Sequence, residues 1–200
     1  MRRARGRASR SLRLGPLVAL IVMLAPAGPV PAASGEAGDR EAAAAAAPSG
    51  ERYHSDAGRF EVLMPGTPEV VSTSRRTLGG RVTSTECFVE RDAFEFRVEY
   101  HDLPRIAEVV LSTGAILSRA KSDFLDAVRG RERSFVETSL DGHPARSLSF
   151  DIPDDRDLVG DGLLTLVGNR LYVVAAIRPR REPQNRLLGR LLKTFTVWAR

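Results

Sequence analysis

Two hundred residues leave room for one domain, or for one domain with tails. Cys87 is the only cysteine, which excludes an intramolecular disulfide, so the fold must rest on its core. The net charge of +5 gives no argument for nucleic acid as a partner: six of the 30 Lys+Arg and none of the 25 Asp+Glu lie in residues 1–32, which leaves 24 against 25 in the rest.

The chain begins with a basic stretch, Arg2, Arg3, Arg5, Arg7, Arg10 and Arg13. An apolar run from Leu14 to Ala27 follows, broken only by Gly15, Pro16 and Pro26, and Val30-Pro31-Ala32 supplies small residues at a cleavage site. Basic, apolar and small in that order predict a signal peptide over 1–32 and an exported protein, periplasmic or secreted. The rival is an uncleaved membrane anchor, but this run is shorter than the ~20 apolar residues that a spanning helix needs. Arg2-Arg3 lacks the following apolar residues of a twin-arginine signal, and no Cys follows the run to carry a lipid.

Residues 33–50 read as a disordered spacer. Ser34, Gly35, Gly38, Ala42 to Ala47 and Pro48 offer nothing bulky to bury against the entropy of ordering them. From 51 to 200 the composition is that of a folded domain.

Phe60, Val62 and Met64 alternate like a strand, and Pro65-Gly66-Thr67-Pro68 stops it. Glu69 to Leu78 and Arg81 to Arg91 flank Gly79-Gly80 and predict a hairpin. Phe94, Phe96, Val98 and Tyr100 then repeat every second residue, with Glu95, Arg97, Glu99 and His101 between them. That pattern predicts a half-buried strand with an aromatic core face and a charged outer face. Pro104 is expected to open a helix carrying Ile106, Val109, Val110, Ile116, Leu117, Ala120, Phe124, Leu125 and Val128, with Gly114 as a break and Gly130 as the C-terminal cap.

Arg133 to Leu140 and His143 to Phe150 enclose Asp141-Gly142, a second hairpin. Pro153 to Asp157 reads as an exposed loop. Leu163 to Val167 and Leu171 to Ile177 are continuous apolar runs around Gly168-Asn169-Arg170, the signature of strands covered on both faces. Pro183 is expected to open a last helix with Leu187, Leu188, Leu191, Leu192 and Phe195 on one face. The class is α+β: one domain, a largely antiparallel sheet packed with two or three helices.

Phe60 to Pro68, Tyr100-His101-Asp102-Leu103-Pro104, Leu140 to Arg146 and Val167 to Tyr172 resemble segments of the PsbP-like domains, exported bacterial domains related in fold to the extrinsic photosystem II protein PsbP. The resemblance spans about Arg52 to Trp198 and lies in turns and strand edges. It implies an antiparallel sheet between helices, with Phe195 as a late aromatic of the final helix. Members include photosystem assembly factors, Ran-binding proteins, envelope lipoproteins and secretion chaperones. What these share is binding to other proteins, with no common active site, so no functional residue is carried over.

The motifs of chemistry are sparse. His54, His101 and His143 show no metal-ligand spacing. There is no GxSxG, and Cys87 with His101 is the one Cys–His pair worth naming; strand spacing between Thr85 and Val89 favours a buried Cys87. Asp154, Asp155 and Asp157 lack the ligand pattern of a calcium loop, and Gly160-Asp161-Gly162 is not followed by a helix that could hold phosphate. Neither a cofactor nor a metal is expected. One charged cluster stands out, Arg178, Arg180, Arg181, Arg186, Arg190 and Lys193, a candidate patch for lipid headgroups or an acidic partner, against a plain solvated helix face. The expected function is a non-enzymatic protein-binding or accessory module of the cell envelope. The alternatives are a binder of small molecules or anionic headgroups, and a hydrolase built on Cys87 or the Asp-rich loop.

Overall fold

The computed structural model describes residues 50–77, 80–91, 94–104, 111–153, 157–181, 190 and 192–198. The expected signal peptide and all but the last residue of the expected spacer lie outside them.

Two sheets and one helix make up the described fold. β1 (Glu51–Ser55) and β2 (Phe60–Met64) form a hairpin, and the short β10 (Thr196–Val197) pairs with the other side of β2. The large sheet has seven strands: β3 (Glu69–Thr77), β4 (Gly80–Arg91), β5 (Phe94–Asp102), β6 (Arg131–Leu140), β7 (His143–Ile152), β8 (Leu158–Val167) and β9 (Arg170–Pro179). Their order is β3-β4-β5-β9-β8-β7-β6, and every neighbouring pair is antiparallel. Two meanders, β3 to β5 and β6 to β9, thus join edge to edge through β5 and β9, with α1 (Thr113–Val128) in the connection.

β9 sits at the centre, which explains its unbroken apolar run. Leu171, Val173, Ala175 and Ile177 face a core shared with Ile116, Leu117, Ala120, Phe124 and Val128 of α1. Tyr172, Val174 and Ala176 face a second core, built with Phe60, Val62 and Met64 of β2 and with Phe195 and Val197. Both faces of a strand must be covered for such a run to be stable in water. Here α1 covers one face and the small sheet the other.

The hairpins follow their turn chemistry. Asp141 (φ 48°) and Gly142 (φ 81°) both take positive φ, the conformation a two-residue turn requires and Gly supplies at least cost. β3 and β4 pair from Glu69↔Phe88 to Thr77↔Gly80, so the hairpin is present with Gly80 inside β4, and Gly79 lies outside the described residues. In β8, Gly160 leaves room for the Phe150 ring: a Cβ there would lie 2.1 Å from its Cζ.

Several expectations change. α1 starts at Thr113, where the Ser112 hydroxyl accepts from the Ala115 N–H at 3.2 Å, so Gly114 belongs to its first turn. Ile106, Val109 and Val110 lie outside the described residues. Arg129, at φ 54°, takes the left-handed cap position expected of Gly130, whose N–H instead donates to the Leu125 carbonyl at 2.7 Å. Among the described residues there is one α-helix with defined ends rather than two or three; most of the run expected from Pro183 lies outside them, and only Arg190 and Leu192 of it are described as helical. Phe195 is not on a helix. It precedes β10 and packs on Phe60 and Tyr172, with ring centroids 5.6 and 5.7 Å away. β8 begins at Leu158, five residues before the apolar run expected from Leu163, so Gly160-Asp161-Gly162 lies within a strand.

Candidate functional site

The largest departure from expectation is on β5. Phe96, Val98 and Tyr100 face the second core as the alternation requires. Glu95, Arg97, Glu99 and His101 occupy the other face, but that face is not solvent: all four are buried, Glu99 completely. Ser84 and Glu86 of β4 are buried beside them, opposite His101 and Glu99.

The four side chains form a ladder. Arg97 donates from Nε to Glu95 and from Nη1 to Glu99 Oε1, the latter at 2.8 Å. Glu99 Oε2 and His101 Nε2 stand 3.5 Å apart, and His101 Nδ1 lies 2.8 Å from Ser84 Oγ. A buried carboxylate is costly unless paired and hydrogen-bonded. On Glu99 burial acts upward, yet the neighbouring His101, 3.5 Å away but short of a hydrogen bond, and the charge of Arg97 outweigh it and hold the carboxyl below its ordinary value. On Glu95 burial wins over Arg97, and the carboxyl is raised. Burial also opposes the charge on Arg97, but Glu99 and Glu95 more than offset it and push the guanidinium up.

Ser84, His101 and Glu99 are the residue types of a nucleophile, base and orienting acid. All three are buried on the covered face of the sheet. The ladder ties neighbouring residues of β5 to one another and to Ser84 of β4. Alternation alone could not reveal it, since a charged strand face looks the same in sequence whether it meets water or protein.

The named cysteine–histidine pair does not assemble. Cys87 points into the second core, as its strand spacing predicted, and its Sγ lies 3.8 Å from Tyr53 Oη. His101 is on the opposite face of the sheet. Burial raises the Cys87 thiol and pushes Tyr53 up to about 12. His54 stacks on Trp198 (4.8 Å, 14°) and contacts Asp56 at 2.9 Å, while His143 opens β7. Among the described residues no three His, Cys, Asp or Glu converge as a metal site.

The arginine cluster is divided. Arg178 is bound to Asp161 at 2.7 Å, and Arg180 reaches Asp151 and Asp157, each at 3.0 Å. Asp157 of the Asp-rich loop thus serves an ion pair; Asp154 and Asp155 lie outside the described residues. Arg181, Arg190 and Lys193 are exposed, and Arg186 lies outside the described residues.

The two edges of the large sheet differ in kind. The pairing of β6 shifts register between Glu132 and Ser134, and Glu132, Arg133 and Glu137 are engaged within the chain. Glu132 meets Lys121 and Glu137 meets Arg146, both at 2.6 Å, while those two cations also cover the Phe135 ring. Bulges and charges are the usual means of blocking an edge. β3 has neither a bulge nor a proline over nine residues. Val70 is 52% exposed and Val71 37%. Glu69 and Arg76 are exposed and make no ion pair among the described residues. Sequence reading found the strand but not its place, because edge position depends on which strands meet across the sheet.

No protein-family model and no curated protein sequence matches the chain. Solved structures do. The solution structure of cyanobacterial PsbP (CyanoP) from Synechocystis sp. PCC 6803 superposes with a TM-score of 0.50 at 15% identity, over 76% of this chain and 94% of that one. The fold is PsbP-like. A Pseudomonas aeruginosa protein of unknown function covers 76% of this chain and 97% of its own at 9% identity, with a TM-score of 0.38, too low to fix a shared fold. No helix among the described residues is long and apolar enough to cross a membrane.

Proposed function

We propose that this domain is a non-catalytic protein-binding module, exported to the cell envelope, that takes an extended strand of its partner along β3. The observation that carries this is the contrast between the edges among the described residues: the β6 ladder is interrupted by a bulge, while β3 pairs on one side only over nine unbroken residues, with Val70 and Val71 exposed. Strand addition at such an edge draws affinity from main-chain hydrogen bonds and specificity from alternate side chains. The sealed ladder supports the non-catalytic half of the reading. The basic-apolar-small start of the sequence supports export.

The test is crosslinking in intact cells of the full chain, carrying a C-terminal tag, beside a Val70→Lys/Val71→Lys variant. Both positions are exposed, so the variant keeps its core. Loss of the dominant crosslinked product in the variant supports the reading, and an unchanged set of products overturns it.

A further inference from the structure

We infer that the strand received by β3 is β3 of a second copy of this chain, paired antiparallel about a two-fold axis so that two seven-stranded sheets continue as one. This rests on the reading of β3 as the binding edge and names the occupant.

The charge order of β3 is self-complementary. The strand runs Glu69-Val70-Val71-Ser72-Thr73-Ser74-Arg75-Arg76-Thr77, acidic at its start and doubly basic near its end. Antiparallel pairing of two copies sets the acidic end of each against the basic end of the other, so the attraction is counted twice. A partner whose chain ran the other way would set like against like. Opposite charges across a strand pair stabilise it and like charges oppose it.

Geometry narrows the register. Side chains alternate faces with period two, and a two-fold axis perpendicular to the sheet keeps the α1 side of both copies on one side. Such an axis must pass through a residue paired with its own copy, which near the middle of β3 means Ser72 or Thr73. Centred on Ser72, Glu69 stands opposite Arg75, Val70 opposite Ser74, and Val71 opposite Thr73. Centred on Thr73, Val70 stands opposite Arg76 and Glu69 lies diagonal to Arg75. Neither places two like charges opposite each other, and both put small hydroxyl residues at the crossing.

The other edge does not offer the same fit. β6 also alternates Arg and Glu, but the bulge at Glu132/Ser134 breaks the row that a second strand would need. The isologous β3 contact closes on itself at two copies, whereas a β3-to-β6 contact would propagate. Residues 33–200 carry 24 basic and 25 acidic residues, so net charge does not keep copies apart.

The experiment is light scattering on the full chain across a hundredfold range of concentration, with single cysteines placed in a Cys87→Ser background. The expected result is a mass that rises from one copy to two. A disulfide-linked dimer should form from Ser72→Cys or Thr73→Cys, and none from Val136→Cys on the exposed part of β6. Glu69→Arg should weaken the dimer at least tenfold, and Glu69→Arg with Arg75→Glu and Arg76→Glu should restore it, because the swapped strand is again self-complementary. A chain that stays single at all concentrations overturns the second copy as occupant. If Val70→Lys/Val71→Lys still abolishes the product in cells, β3 remains a binding edge for a different protein. If that product also persists, both readings fall.

Discussion

Arg97 Nη1 donates to Glu99 Oε1 at 2.8 Å in a place where neither charge reaches water: 3% of Arg97 is exposed and none of Glu99. The guanidinium bridges Glu95 and Glu99 along one strand, so a single cation answers two buried anions.

Removing that cation is therefore costly. Arg97→Met should destabilise the fold by about 3–5 kcal/mol, the usual cost of leaving buried partners unpaired. Arg97→Lys should recover only part of this, since one ammonium cannot serve both carboxylates with the fork of a guanidinium. Urea denaturation at neutral pH measures both.

The two carboxylates should respond oppositely to pH. Glu99 is held below its unfolded value, so its contribution is fully present above that value and is lost as pH falls through the folded one. Glu95 is raised, so the folded state holds its proton more tightly, and Glu95 costs stability once pH exceeds the raised value. Glu99→Gln should flatten the acid side of the stability profile and lower stability at pH 7. Glu95→Gln should remove an opposing slope and be the milder change at pH 7. Denaturation midpoints from pH 3 to pH 8 decide the signs.

Gly160→Ala tests the closeness of β8 and β7. The added methyl would meet the Phe150 ring at 2.1 Å, and that ring packs edge-on against Phe124 at 5.4 Å. Overpacking of this kind costs about 1–3 kcal/mol. Phe150→Leu should be less damaging in the Gly160→Ala background than alone, which a double-mutant cycle reads directly.

Cys87 should behave as a core atom. Its thiol is buried and raised, so alkylating reagents should label it no faster than the fold opens. Labelling rates with and without urea check this. Cys87→Ala should cost about 1–2 kcal/mol through lost packing against Val62, Val89 and Tyr53.

What was legible in the sequence was local. The Asp141-Gly142 turn, the aromatic alternation of β5 and the continuous apolar run of β9 each rest on neighbours along the chain, and each is present. The face of β5 was misread because the covering of Glu95 to His101 depends on distant parts of the fold. The Ser112 hydroxyl that caps α1 was not singled out, because a lone Ser in mid-run is a weak signal, and the stretch expected to follow Pro104 lies outside the described residues. Phe195 was placed on a helix by spacing to Leu191 and Leu192, but tertiary packing onto Phe60 fixes it in the turn before β10. Of the candidate site, the sequence showed β3 only as one arm of a hairpin. That the strand lies at an open edge follows only from the pairing of β5 with β9.

The small sheet has a mechanical consequence. β1 enters beside the end of β2, at Glu51↔Met64, and β10 leaves beside its beginning, at Val197↔Phe60. The two ends of the domain therefore depart from opposite ends of the same three strands. A pull on them runs along the strands and loads their cross-strand hydrogen bonds side by side, in shear, instead of unzipping them one at a time. The two-residue ladder of β10 carries that load first, with Val197 seated in the core behind it. Pulled this way, the three strands would resist together rather than peel in turn.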